Sequence, residues 1–416
     1  MSPRKITLYL AALAAFALSL GPVEARAAHA KHHAHAAHKK HVAAVSRKHG
    51  SKKLAGRESA TERVEVAAAR TPPVVIVSKP PADARDFDYQ DRIQQAQELV
   101  AKQPVLPGDM EIDSSGRLTH FVWTLAVGGA SGPLTVVRMD ENGKNDQGFT
   151  ITWPIDNFLN THFHVTAPDG MIVFAQRRPV HAKDGYQEAV YTAYAPELDT
   201  KTMRAAGMDY LRHLEHLAYN HINDHDVRSR VAPNMTVAEE IPRDMVLRLM
   251  ITEHVDPLHM KFVGIEQCVH EVLFTIAANK SHAYAYARSS AGAMGLPQFM
   301  EDSYQMVRAN YPAALLEPDF ARGMTDLRNA VLASTLLLDL ELTQLPQATL
   351  RQFTSSSSQF AAFLAAGYNR NPAHVVKTYL RTHSLTGGSK VSFENKMYVR
   401  IQGWVGDFLK KEYRES

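Results

Sequence analysis

A single cysteine, Cys268, in 416 residues excludes an intrachain disulfide framework. Its place deep in the chain also excludes a lipid-attachment cysteine just behind an N-terminal leader. Long apolar runs are nearly absent. The one near the start, ITLYLAALAAFALSLG, falls short of the roughly 20 residues a membrane-spanning helix needs. Excess charge is also small, at +3 overall, and unevenly spread: the first fifty-odd residues are crowded with Lys, Arg and His while the rest of the chain is slightly acidic. That distribution argues against a nucleic-acid-binding protein. No glycine-rich phosphate loop and no nucleophile paired with a base stands out between residues 105 and 196.

The N-terminus carries Arg4 and Lys5, then the apolar run, then small residues around Ala25-Arg26-Ala27 and Ala28-His29-Ala30. This is the pattern of a cleaved export signal, and residues 1–28 are expected to be removed. The mature chain would then be periplasmic, with no integral membrane segment. Residues 29–87, opening AHAKHHAHAAHKKH, have no apolar periodicity and are read as a disordered basic tether rich in His, Ala and Pro. Binding of a metal or of anionic polymers is the functional alternative for that run. No spacing in it recurs as a metal site would.

Residues 88–196 read as a helix followed by a small antiparallel β-domain. Ile93, Ala96, Leu99 and Val100 fall at helical spacing. Short runs rich in Val, Ile, Thr and aromatics follow (RLTHFVWTLAV, PLTVVRM, GFTITWPI, FHVTAP, MIVFAQ, EAVYTAY), with turn pairs such as Asn142-Gly143 between them. Residues 197–239 are a helical connector in which His213, His216, His221 and His225 lie close in sequence. His221 and His225 could share a helix face as metal ligands do, but Asn and Asp around them suggest a fraying, solvated helix end. No metal or cofactor is expected. In the last helix, Phe393, Met397, Ile401, Trp404 and Phe408 form a stripe expected to pack in the core.

From 240 to 412 four blocks occur in one order: SSAGAMGLPQF (289–299), MTDLRNAVLASTLLLDL (324–340), AAGYNRNPAHVVKTY (365–379) and FENKMYVRI (393–401). Together they resemble the soluble lytic transglycosylase domain, an all-α, lysozyme-like fold that cuts the β-1,4 bond between N-acetylmuramic acid and N-acetylglucosamine in peptidoglycan. Pro297 departs from that family's pattern. The fold expected is therefore α+β and multidomain, with the lysozyme-like domain C-terminal. Within it, Gly292 and Gly295 suit a loop lining a groove, and Ser289, Gln298, Tyr368 and Asn369 supply polar edges and a ring face for a sugar. The resemblance implies peptidoglycan glycan strands as the partner, and an envelope assembly as a further one.

The family's catalytic glutamate opens a Glu-Ser-x-Phe-Asn-Pro-x-Ala-x-Ser pattern. Nine positions before Ser289 this chain has Lys280. A carboxyl lifted toward neutrality by burial can both give and take a proton, whereas a charged ammonium can accept none. With Lys280 in that place, the expectation is a protein that engages peptidoglycan with cleavage impaired or lost. The alternative is an active transglycosylase that uses another carboxylate. Glu271 would lie on the opposite face of the same helix from Lys280, and Glu266 about 21 Å back along it. Glu301 and Asp302 are the nearest acids with a route to the cleft, though both read more plainly as helix-start residues.

Overall fold

The computed structural model describes residues 88–413 apart from 141–146, 153–163, 183–184, 290, 355–356, 371 and 388–390. The leader (1–28), the tether (29–87) and the Asn142-Gly143 turn lie outside the described residues. The architecture is mixed: small antiparallel sheets come first, and a mostly helical region follows.

Helix α1 (Gln90–Ala101) precedes eight strands, β1 (Met110–Ile112), β2 (Leu118–Phe121), β3 (Trp123–Gly128), β4 (Thr135–Met139), β5 (Thr150–Thr152), β6 (His164–Thr166), β7 (Ile172–Ala182) and β8 (Gly185–Tyr191). β4-β3-β7-β8 form one antiparallel sheet, while β1-β2 and β5-β6 form two-stranded ribbons. Every residue of β3 is buried, because both faces of the sheet are covered. Alternate side chains divide between two clusters. Trp123, Leu125 and Val127 meet Val137, Met139 and Phe149 on one face. Ala126, with Phe174 and Ala175 of β7, meets Ile93, Ala96 and Val100 of α1 on the other. Arg92 fastens α1 to the sheet by donating to the Gly129 carbonyl at 2.7 Å.

The helices are α2 (Lys201–Asp224), α3 (Val237–Glu240), α4 (Arg243–Thr252), α5 (Pro257–Asn279), α6 (Glu301–Asn310), α7 (Phe320–Thr325), α8 (Leu327–Leu342), α9 (Gln347–Thr354), α10 (Ser357–Asn369), α11 (Pro372–Thr382) and α12 (Phe393–Glu412). α8 is apolar almost all round and is the buried axis of this region. Its Asp339 is enclosed yet satisfied, accepting from Ser229 Oγ (2.6 Å), Arg230 N (2.8 Å) and Tyr311 Oη (2.6 Å). α2 crosses α5 at Gly207, where a β-carbon would stand 1.9 Å from the Leu273 carbonyl oxygen. Only glycine permits that approach.

α5 starts with Asp256 as N-cap and Pro257 in the first turn, and it is kinked at Gly264 (φ 85). Its far end is shared with the sheet region. Phe274, Ala277 and Ala278 pack in the cluster of α1 and β7. Asn279 Oδ1 accepts from Thr192 N at 2.8 Å, and its Nδ2 donates to Thr192 O at 2.9 Å.

Two local expectations change. α2 does not fray at the histidines but continues to Asp224, because His221 Nε2 donates to the Ala314 carbonyl at 2.8 Å and stacks on His225 at 4.0 Å. On α12, Met397, Ile401 and Phe408 of the apolar stripe reach the core as expected, but Phe393 and Trp404 are 63% and 43% exposed, so the stripe is buried only in part. The buried face also takes in Asn395, Val399, Gln402, Val405 and Leu409, beside Ile401 and Phe408. Polar Gln402 belongs there because its amide meets Met245 Sδ at 3.1 Å.

Candidate active site

The segment 287–299 is a tight double turn. Arg288 bridges Met294, and Met294 bridges Phe299. Gly295 has φ 75, and a β-carbon there would stand 2.6 Å from the Met324 carbonyl. The polar side chains of this loop hold it shut. Ser289 Oγ accepts from Ala293 N at 3.0 Å, and Gln298, itself at φ 47, donates through Nε2 to Gly295 O at 2.9 Å. Gly292 takes φ 94 at the first turn.

Two neighbours position the loop. His254 Nε2 lies 2.8 Å from Leu296 O, so that nitrogen carries the proton, and the imidazole stacks on Tyr284 at 3.5 Å. Tyr368, at the end of α10, donates from its hydroxyl to Pro297 O at 2.7 Å. The adjoining Asn369 donates to Asn395 Oδ1 of α12 at 3.3 Å.

These contacts surround a carboxyl that the sequence reading passed over. Glu253 closes α4, immediately before His254. The residue keeps partial solvent access, but its carboxyl is enclosed and accepts a hydrogen bond from the Tyr398 hydroxyl of α12. Burial pushes Glu253 up to about 8, against the smaller opposing effect of the Tyr398 hydrogen bond. At neutral pH the group is therefore mostly a neutral acid.

A second acid, Glu341 near the end of α8, is fully buried, and its Oε2 finds no hydrogen-bond partner. Desolvation holds it well above the ordinary carboxylate range. Gly367 makes room for it, since a β-carbon there would stand 2.4 Å from Glu341 Oε2. The two acids belong to one neighbourhood. Burial first, and then the Glu253 and Glu341 carboxyls, push the phenols of both Tyr368 and Tyr398 far up.

The remaining acids lie elsewhere. Glu271 pairs with His259 at 2.9 Å; burial opposes the imidazolium, but this carboxylate prevails and holds His259 above its usual pKa. Glu266 is exposed, 3.7 Å from Lys411, and Glu301 and Asp302 are exposed in the first turn of α6. Lys280 stands at the corner where α5 ends, exposed, with φ 46 and ψ −121. Among the predicted site residues, then, Tyr368 and the loop holding Ser289, Gly292, Gly295 and Gln298 come together, with Asn369 tying in α12. The structural partners of Glu253 do not include Lys280. Among the described residues no group of three or more His, Cys, Asp or Glu side chains could hold a metal, and no helix is long and apolar enough to cross a membrane.

The signal for Glu253 was present in the sequence. Glu253-His254-Val255-Asp256-Pro257 is an acid ending an apolar helix just before an Asp-Pro pair. Counting back from Ser289 missed it because α5 intervenes. Comparison with known families, with curated proteins and with solved structures gave no match.

Proposed function

We propose that this chain is an exported peptidoglycan lytic transglycosylase with a lysozyme-like C-terminal region, and that Glu253 is its acid and base. The observation that carries the reading is the placement of Glu253. It is a carboxyl held protonated near neutrality, hydrogen-bonded to Tyr398, beside Tyr368 and the 287–299 loop. These partners come from three of the four sequence blocks that resemble the transglycosylase domain. Lys280, on an exposed corner, then carries no catalytic duty, and its charge no longer argues for lost activity.

In the proposed reaction Glu253 gives its proton to the glycosidic oxygen as the C1–O bond breaks. The substrate's acetamido group shields the cation formed at C1. The C6 hydroxyl then attacks C1 and returns its proton to Glu253, so a 1,6-anhydro sugar leaves and no water is consumed. A group with a pKa near 8 suits both transfers, since neither direction is far uphill at working pH. Peptidoglycan strands are the substrate class in this reading, and no metal or cofactor takes part.

The test is digestion of purified sacculi, with soluble products read by mass spectrometry. Wild-type protein should release 1,6-anhydro muropeptides, Lys280→Ala should release them comparably, and Glu253→Gln should lower release by at least ~100-fold. Unchanged release by Glu253→Gln would remove Glu253 from the mechanism.

A further inference from the structure

Backbone strain borders a cavity away from the Glu253 centre. Lys280 and Tyr284 both have positive φ (46 and 57), conformations that cost residues with a β-carbon roughly 1–3 kcal/mol each. Such strain persists only where the surroundings fix it, and here both ends of the segment are fixed. Asn279 is clamped to Thr192, and Tyr284 is stacked on His254. Between and just beyond these anchors, Ser281, His282, Ala285 and Tyr286 form one wall of a cavity of ≈ 620 Å³. The opposite walls come from α2, through Tyr210 and His213, and from the start of α8, through Asp326 and Arg328.

This cavity is separate from the Glu253 centre. Arg328 and Glu341 lie at opposite ends of α8, and at 1.5 Å per residue they are roughly 20 Å apart. Its chemistry is also different. Two phenols, Tyr210 and Tyr286, line it and are the residue type that packs on the apolar side of a pyranose, and His213, His282 and Arg328 bring hydrogen-bond donors to the same lining. Asp326 is occupied as the N-cap of α8, accepting from Arg328 N (3.0 Å) and Asn329 N (3.3 Å). The exposed Arg328 guanidinium, 3.2 Å from His221 Nδ1, is the residue suited to a carboxylate.

We propose that this cavity is a second, non-catalytic binding site for a carboxylate-bearing saccharide, with Arg328 taking the carboxylate and Tyr286 the ring. The choice of a muramic acid unit as that saccharide rests on the peptidoglycan reading. Bound there, a muramyl residue of the wall would hold the protein on its polymer while Glu253 works elsewhere.

The experiment is an NMR titration of the full chain with N-acetylmuramic acid and, separately, with N-acetylglucosamine, which has the same ring without the lactyl carboxylate. N-acetylmuramic acid should bind ~10-fold tighter, the worth of one charge-assisted hydrogen bond. Arg328→Gln should abolish that preference, and Tyr286→Ala should weaken both sugars. Arg328 is exposed, so its variant is expected to fold, and an unchanged melting temperature checks this. Equal affinity for the two sugars, or a preference that survives Arg328→Gln, overturns the proposal. Its failure is distinguishable from that of the acid centre. If release from sacculi depends on Glu253 while the titration shows no Arg328-dependent preference, only the second site falls. If the preference is present but no product is released, the second site stands and the catalytic reading falls.

Discussion

The Tyr398 hydroxyl works against the burial of Glu253. Its O–H favours the carboxylate, while desolvation favours the acid, and burial is the larger effect. A proton donor is active only below its own pKa, so in the proposed reaction cleavage should decline as pH rises through about 8. Tyr398→Phe removes the one contact that lowers this pKa. The declining limb of kcat/KM should therefore move up by about one pH unit, the worth of a hydrogen bond to a charged group. A limb that stays in place or moves down would show that Tyr398 does not set the protonation of Glu253. At this scale the sequence was only half legible. Tyr368 and the glycines of the 287–299 loop could be picked out, because a left-handed turn or a ring beside a polar loop leaves a local trace. Ser289 and Gln298 could be picked out too, but their hydrogen bonds close their own loop. Glu253 left only a faint trace, an acid ending an apolar helix before Asp256-Pro257, since its environment is assembled from α4, α8, α10 and α12, and no spacing in the sequence encodes that convergence.

α5 is the element that misdirects a linear reading. It inserts a kinked helix between Glu253 and the 287–299 loop, so the count back from Ser289 ends at its exposed C-terminal corner. The same helix explains why α2 carries a glycine in its middle. Alanine is intrinsically the better helix former by about 1 kcal/mol, so Gly207→Ala would stabilise α2 in isolation. In the folded chain its β-carbon would collide with the Leu273 carbonyl, a backbone atom that cannot rotate away. Gly207→Ala should lower the unfolding free energy by roughly 1–3 kcal/mol in chemical denaturation, and a gain would contradict the crossing. α12 shows the complementary limit of pattern reading. Its apolar stripe was visible in the sequence and Met397, Ile401 and Phe408 of it do reach the core, but Asn395 and Gln402 also turn inward, where they find hydrogen-bond partners, while Phe393 and Trp404 remain at the surface.

Across the whole molecule, the division into a strand-rich first part and a helical second part was legible, since period-two runs and turn pairs give way after Pro196 to helical spacing. How the parts join was not. α1, β3, β7 and the end of α5 share one cluster of buried side chains, and Asn279 hydrogen-bonds across the join, contacts between residues far apart in sequence. The sheet thereby fixes the corner that carries Lys280 and walls the second cavity, while the helical region builds the acid centre around α8. The account depends most on the claim that Glu253 is held as a neutral acid within that centre. The direct measurement is a carbon-13 NMR titration of glutamate side-chain carboxyls, with the Glu253 signal assigned by its loss in Glu253→Gln. A titration midpoint near 8 is the predicted result; a midpoint near the ordinary 4.5 would contradict the account.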